Sequence, residues 1–179
     1  MNGKQVRQLT KGPWEITSID GFDEKKGLVY FTSTEASPLQ RHLYRIDLKG
    51  KGKTRLSEAG RGTDVVNLSP DTRYYLNYHS EAGSPQVVSL RSGQDGKVVK
   101  VLEDNAALRQ KLAQVDLGKL EFLSFKTSEG VQLNGWMIKP ANFDASKKYP
   151  VLMHVYGGPG SQTVKDDAGG GVTFSNYLW

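Results

Sequence analysis

The chain has 179 residues, 37% of them apolar and 24% charged, a net charge of +5, 20 glycines and no cysteine. That length holds one domain or two small ones, and the composition fits a globular chain and excludes an intrinsically disordered one. Without cysteine there are no disulfides and no thiolate metal sites, and no apolar run reaches the roughly 18 residues that span a bilayer.

Met1-Asn2-Gly3-Lys4-Gln5 leads into polar sequence and does not read as a secretory leader. The first β-rich run is Trp14-Glu15-Ile16-Thr17-Ser18-Ile19. It is followed by Gly27–Ala36, His42–Leu48 and Lys53–Leu56. The one dense basic cluster, Lys49-Gly50-Lys51-Gly52-Lys53, reads as a solvated hairpin tip. A nucleic-acid binder would carry a basic stripe, so that function class is set aside.

The same order of runs then recurs: Thr63–Leu68, Arg73–Ala82, Gln86–Leu90 and Lys97–Leu102. Runs rich in Val, Ile, Tyr and Thr, parted by Gly, Asp, Ser and Pro, predict antiparallel meanders. Four short strands at a spacing of roughly 45 residues are the pattern of propeller blades. The predicted blades cover about 14–57 and 63–103. Ser69-Pro70-Asp71-Thr72-Arg73-Tyr74 is the expected turn between the first two strands of the second blade. Pro70 presets one dihedral there and Asp71 can bond its own backbone. Two blades do not close a propeller, so the chain is expected to hold only part of one.

Beyond the blades, Asp104-Asn105 can cap a helix, and Leu108, Leu112 and Val115 share one face of it. This predicts a connector helix over about 105–115. Two runs, 120–128 and 131–138, flank Glu129-Gly130 and predict a hairpin with a two-residue turn. After a loop comes Pro150-Val151-Leu152-Met153-His154-Val155-Tyr156, which reads as a buried strand. It breaks into Gly157-Gly158-Pro159-Gly160, a tight turn. A glycine turn after a strand is where α/β enzymes place donors against a reacting oxygen, and the Tyr156 phenol adds one more.

Other candidates take plainer readings. Pro159 removes an amide donor and no Gly-Lys-Ser/Thr follows, so the glycines are not a phosphate loop. His42, His79 and His154 are widely spaced, and no metal site or cofactor is expected. His154 shares a predicted strand face with Tyr156 and is read as structural. Gln162 is read as stabilising the turn.

Thr10-Lys11-Gly12-Pro13-Trp14-Glu15-Ile16, Val101-Leu102-Glu103-Asp104-Asn105, Lys147-Lys148-Tyr149-Pro150 and Val155-Tyr156-Gly157-Gly158-Pro159-Gly160-Ser161-Gln162 occur in this order and spacing. Together they resemble the dipeptidyl peptidase IV branch of the prolyl oligopeptidase family. The resemblance runs along essentially the whole chain. It implies a mostly β fold: two four-stranded antiparallel propeller blades followed by the first strands of an α/β-hydrolase domain. The implied division is 1–104 for the end of the propeller, 105–119 for the connector, and 120–179 for the start of the truncated hydrolase domain.

The resemblance further implies a serine exopeptidase that releases N-terminal dipeptides after proline or alanine. In such an enzyme Tyr156 is the oxyanion-hole donor. The family's nucleophile needs a Gly-x-Ser-x-Gly elbow followed by Asp and then His. No such elbow occurs here, so the catalytic Ser, Asp and His are absent and the chain by itself is expected to be inactive. Expected partners are peptides with penultimate Pro or Ala, the rest of the propeller and hydrolase domain, and a second copy in a homodimer. An extracytoplasmic location, periplasmic or at the cell surface, is suggested by the family alone. Two other readings stay open: a prolyl tripeptidyl peptidase or another hydrolase on the same scaffold, and a non-catalytic propeller-containing binding module.

Overall fold

The structure, a computed structural model, describes residues 7–155, 158 and 160–168. It is mostly β: three antiparallel sheets and one short helix among the described residues. The first sheet is a meander of β1 (Ile16–Asp23), β2 (Leu28–Ser33), β3 (His42–Asp47) and β4 (Thr54–Arg55). The second repeats the order with β5 (Thr63–Leu68), β6 (Tyr74–Ser80), β7 (Val87–Ser92) and β8 (Val98–Glu103). Each strand pairs with its neighbour in sequence, as the recurring runs predict.

The turns follow local chemistry. At the β3–β4 tip Asp47 Oδ1 accepts the Lys49 and Lys51 amides at 2.8 and 2.7 Å. The three lysines of the tip are exposed, as read from the sequence. At the β5–β6 turn the Ser69 carbonyl accepts from Thr72 N at 2.8 Å, and Asp71 accepts from Ser69 Oγ and the Arg73 amide. Bonds from Ser69 and Arg73 hold the Asp71 carboxyl at about 2, below its ordinary value.

Period-two alternation gives the first sheet two buried faces. On one, Tyr30 and Leu43 pack with Leu56 and with Tyr75 of the second sheet. Tyr30 donates its hydroxyl to the Gly93 carbonyl, and Tyr75 donates to the Leu56 carbonyl, each at 3.1 Å. On the other face, Phe31, Tyr44 and Ile46 pack with Trp14 and Leu9. The rings of Trp14, Phe31 and Tyr44 form a stacked series. The two sheets are therefore joined by a shared apolar layer whose phenols are satisfied by backbone carbonyls, not left bare. Outermost β8 has all six residues exposed, including Val98, Val99, Val101 and Leu102.

The connector is a shorter helix than predicted, α1 (Ala106–Leu112), with no buried residue. Asn105 sits at the cap position in the left-handed region (φ 54°) and makes no side-chain cap bond. Instead Asp104 Oδ1 accepts the Ala106 amide at 2.9 Å, and Asn105 reaches the Gln86 carbonyl.

The predicted hairpin forms from β9 (Lys119–Lys126) and β10 (Gln132–Lys139). Its turn is longer than the two residues expected. Thr127 N donates to the Val131 carbonyl and Gly130 N to the Thr127 carbonyl, both at 2.9 Å, which leaves Ser128, Glu129 and Gly130 as the loop. Gly130 has φ +84°, the left-handed position that a three-residue hairpin loop requires.

The predicted strand over 150–156 is not observed in its described part. Pro150–Val155 lie outside any strand, and Val151 is 84% exposed. An apolar run becomes a strand only when a neighbour completes its hydrogen-bond ladder. None of the described strands pairs with this one.

Candidate functional site

The two meanders meet at one end, where the β2–β3 loop, the start of β5 and the end of β6 come together. A parallel bridge joins Arg41 to Thr63, and Asp64 N donates to the Arg41 carbonyl at 2.8 Å. Segment 160–168 lies over this junction. Beside it opens a cleft of about 430 Å³ whose lining includes Asp20, Thr32, Arg41, Asp64, Gln162 and Lys165.

Beneath the cleft is a polar network centred on Asp64, which is 3% exposed. Asp64 Oδ2 lies 2.8 Å from Nδ1 of His42, a residue with no exposed surface. Asp64 Oδ1 accepts from Asn77 Nδ2 at 2.9 Å and lies 3.0 Å from His79 Nδ1. Register explains the convergence. Asp64 pairs with His79 across β5–β6, and Asn77 and His79 are two apart on β6, so all three share a face. Burial by itself would raise the Asp64 pKa. The bonds from His42, His79 and Asn77 outweigh it and hold the carboxyl below its ordinary range. The same bond to Asp64 raises the pKa of half-buried His79, against desolvation and with help from Glu81.

A second carboxylate, Asp166, is 2% exposed. Arg61 grips it through Nε and Nη2 at 3.2 and 3.1 Å. The Gly62 and Ala82 amides donate to it at 3.0 Å each, and Gln40 Nε2 at 3.3 Å. Desolvation opposes its charge, but Arg61 and the two amides bring its pKa below the ordinary value. Arg61 also lies over the Phe122 ring of β9 at 5.6 Å, so one guanidinium touches both segment 160–168 and the hairpin.

Of the residues picked out from the sequence, Tyr156 lies outside the described residues, as do Gly157 and Pro159. The bonds of Gln162 run to the β2–β3 loop and to its own segment: Nε2 donates to the Pro38 and Val164 carbonyls at 2.9 and 2.8 Å, and Oε1 accepts from Arg41 at 2.6 Å. His154 is exposed, whereas His42 and His79 converge on one carboxylate. Sequence reasoning took the histidines as unrelated and passed over Asp64 and Asp166. The Asn77-x-His79 alternation was the available signal for the first network. For Asp166 there was none, because its partners come from three distant loops. Among the described residues no group of three or more His, Cys, Asp or Glu could hold a metal, and no helix is long and apolar enough to cross a membrane.

Comparison with known proteins places this architecture. Residues 1–86 match the family described as the dipeptidyl peptidase IV N-terminal region. The chain is 36% identical over 177 residues to dipeptidyl peptidase 4 of Trichophyton rubrum and 34% identical over 177 residues to that of Arthroderma otae. It superimposes on the crystal structure of Porphyromonas gingivalis dipeptidyl peptidase 4 with a TM-score of 0.89 and 40% identity, over 98% of this chain. The chain belongs to the dipeptidyl peptidase IV family. It spans 23% of each of those two relatives and 24% of the P. gingivalis chain. Within this family the two meanders match part of a β-propeller, and segment 160–168 is what touches their shared end.

Proposed function

We propose that this chain is the part of a serine exopeptidase that carries the last two propeller blades (1–104), a connector (105–119) and the start of an α/β-hydrolase domain (120–179). The enzyme releases N-terminal dipeptides after proline or alanine. The observation that carries this reading is similarity along nearly the whole chain to proteins named dipeptidyl peptidase 4, through Tyr156-Gly157-Gly158-Pro159-Gly160-Ser161-Gln162.

In this reading the triad comes from outside these 179 residues, and this segment supplies one donor of the oxyanion hole. When a nucleophile attacks the scissile carbonyl, its oxygen gains a full negative charge. The Tyr156 phenol donates more strongly to that oxygen than to the neutral carbonyl of bound substrate. An interaction that strengthens only at the transition state raises kcat and leaves KM nearly unchanged. The peptide substrate, the rest of the propeller and hydrolase, a homodimer and an extracytoplasmic site of action belong to the same proposal.

Tyr156→Phe in the full-length protein tests it, since only the hydroxyl is removed. With a Gly-Pro chromogenic substrate kcat falls about 10²–10³-fold, roughly 2.7–4 kcal/mol, as for other oxyanion donors. KM and the melting temperature stay close to wild type. A normal kcat refutes the assignment, and a large loss of stability shows Tyr156 to be chiefly structural.

A further inference from the structure

A buried amide needs an acceptor, and leaving it without one costs stability. At the junction of the two meanders, five donor groups from four residues converge on one carboxylate. Arg61 Nε, Gly62 N and Gln40 Nε2 donate to Asp166 Oδ2, and Arg61 Nη2 and Ala82 N donate to Oδ1. The donors lie between 84 and 126 residues upstream of the group they hold. The local backbone builds this cradle. Gly60 and Gly62 have φ of +135° and +93°, and between them the Arg61 fork and the Gly62 amide meet the same oxygen. A Cβ on Gly62 would fall 2.6 Å from the Ser80 carbonyl oxygen, so glycine is what lets that amide sit against the end of β6.

We propose that the junction of the two blades is a carboxylate-binding site which Asp166 occupies as an internal ligand, and that its occupation closes the seam between the blades. Gln40 belongs to the loop before β3, Arg61 and Gly62 to the linker between the sheets, and Ala82 to the loop after β6. One carboxylate thus ties three segments together and adds to the Arg41–Thr63 bridge across the same seam. The ligand class follows from the donors. A guanidinium fork beside two backbone amides matches a small group with a negative charge and two acceptor oxygens in one plane. A carboxylate meets those demands, whereas a side-chain amide offers one oxygen and no charge.

Chemical rescue in the full-length protein tests this, with hydrogen–deuterium exchange as the readout and acetate as the probe. Asp166→Ala removes the carboxylate and keeps the donors. Exchange should rise about tenfold to a hundredfold, as expected for lost hydrogen bonds to a charged group. The rise should appear in the blade peptides holding 40–42, 61–64 and 80–83 as well as in the one holding 160–168. Acetate should reverse it saturably in the blade peptides, and chloride at the same ionic strength should not. Asp166→Ala combined with Arg61→Gln should respond to neither. If Asp166→Ala does not fold, Asp166→Asn is the second variant. Its amide fills the same space without the charge, so the blade peptides should again exchange faster, but acetate should find no room to act. A rise confined to 160–168 in either variant overturns the closing of the seam. Exchange in Asp166→Ala that acetate leaves unchanged, or that chloride slows equally well, overturns the carboxylate site. A response of Asp166→Asn to acetate overturns it too, because the probe would then be acting elsewhere.

Discussion

Residues 16–103 and residues 119–168 share β-type sequence but differ in how they complete it. In the first region every strand finds its partner one turn away, and the two resulting sheets bury Tyr30, Leu43, Leu56 and Tyr75 between them. In the second, only the β9–β10 hairpin has a local partner. Phe125, Leu133 and Met137 on its outer face are exposed, and Val151–Val155 lie bare. Apolar runs thus have different fates according to whether the ladder they need is near in sequence. Short-range pairing makes the meanders self-sufficient, whereas a run suited to a sheet interior depends on strands distant in the chain.

The sharpest way to break this comparison is to cut the same side chain from each region. Leu43→Ala opens a cavity under Tyr30 and Tyr75 and should cost about 2–5 kcal/mol. Leu152→Ala, at an 80% exposed position, should change stability by no more than about 0.5 kcal/mol. Urea titrations of this chain followed by tyrosine and tryptophan fluorescence read both. Equal losses would show that residues 151–155 are packed in solution and that the contrast between the regions is false.

Glycine provides a finer version of the comparison. Gly130 in the hairpin and Gly96 between β7 and β8 both have positive φ, +84° and +75°. A Cβ on Gly130 meets nothing within 4 Å, but on Gly96 it would fall 1.9 Å from the Leu56 carbonyl oxygen. Gly130→Ala should therefore cost only the dihedral penalty, about 1–2 kcal/mol. Gly96→Ala adds a backbone clash at the junction of the meanders and should cost more. The excess, read as a difference in urea midpoints, measures how tightly the second blade seats on the first. No excess would mean that the blades slide freely.

The same distinction explains how much could be read from the sequence. The eight strands of the meanders, the Ser69–Tyr74 turn and the β9–β10 pairing were legible because their determinants are local: alternation, Pro70, Asp71 and Gly130. The turn length at Gly130 was missed by one residue, since only hydrogen bonding tells a left-handed third loop residue from the second of a two-residue turn. The strand at 150–156 was overread because apolar content does not report whether a neighbour is present. In the candidate site, Gln162 was marked by its motif, but its bonds to Pro38 and Arg41 were not. Asp64 with His42, and Asp166 with Arg61 and Ala82, were not legible, because their partners lie in other strands and loops. A single carboxylate in a polar stretch carries no mark of what will surround it.

The smallest expected effect concerns pH and the Asp64 network, a buried polar cluster that ties β3, β5 and β6 together. His79 has its pKa raised in the folded chain by its bond to Asp64, with Glu81 Oε1 3.7 Å from Nε2 adding to the effect. Between the unfolded value, about 6.5, and the raised folded value, the native state holds more protons than the unfolded one. The stabilisation is thus complete below about pH 6.5 and fades as pH rises through the folded value. Asp64 works in the opposite sense. Its pKa is lowered, so its contribution is complete above about pH 4 and is lost as pH falls through the folded value. The unfolding free energy should therefore be highest between about pH 4 and 6.5 as far as this network is concerned, and decline gently toward pH 8. His79→Gln keeps a hydrogen-bond donor for Asp64 but cannot titrate, so its urea midpoints should stay level over the alkaline half of that range. Parallel declines in wild type and His79→Gln would place the alkaline loss elsewhere in the chain. A level wild-type profile would mean that the His79–Asp64 bond contributes nothing that depends on charge.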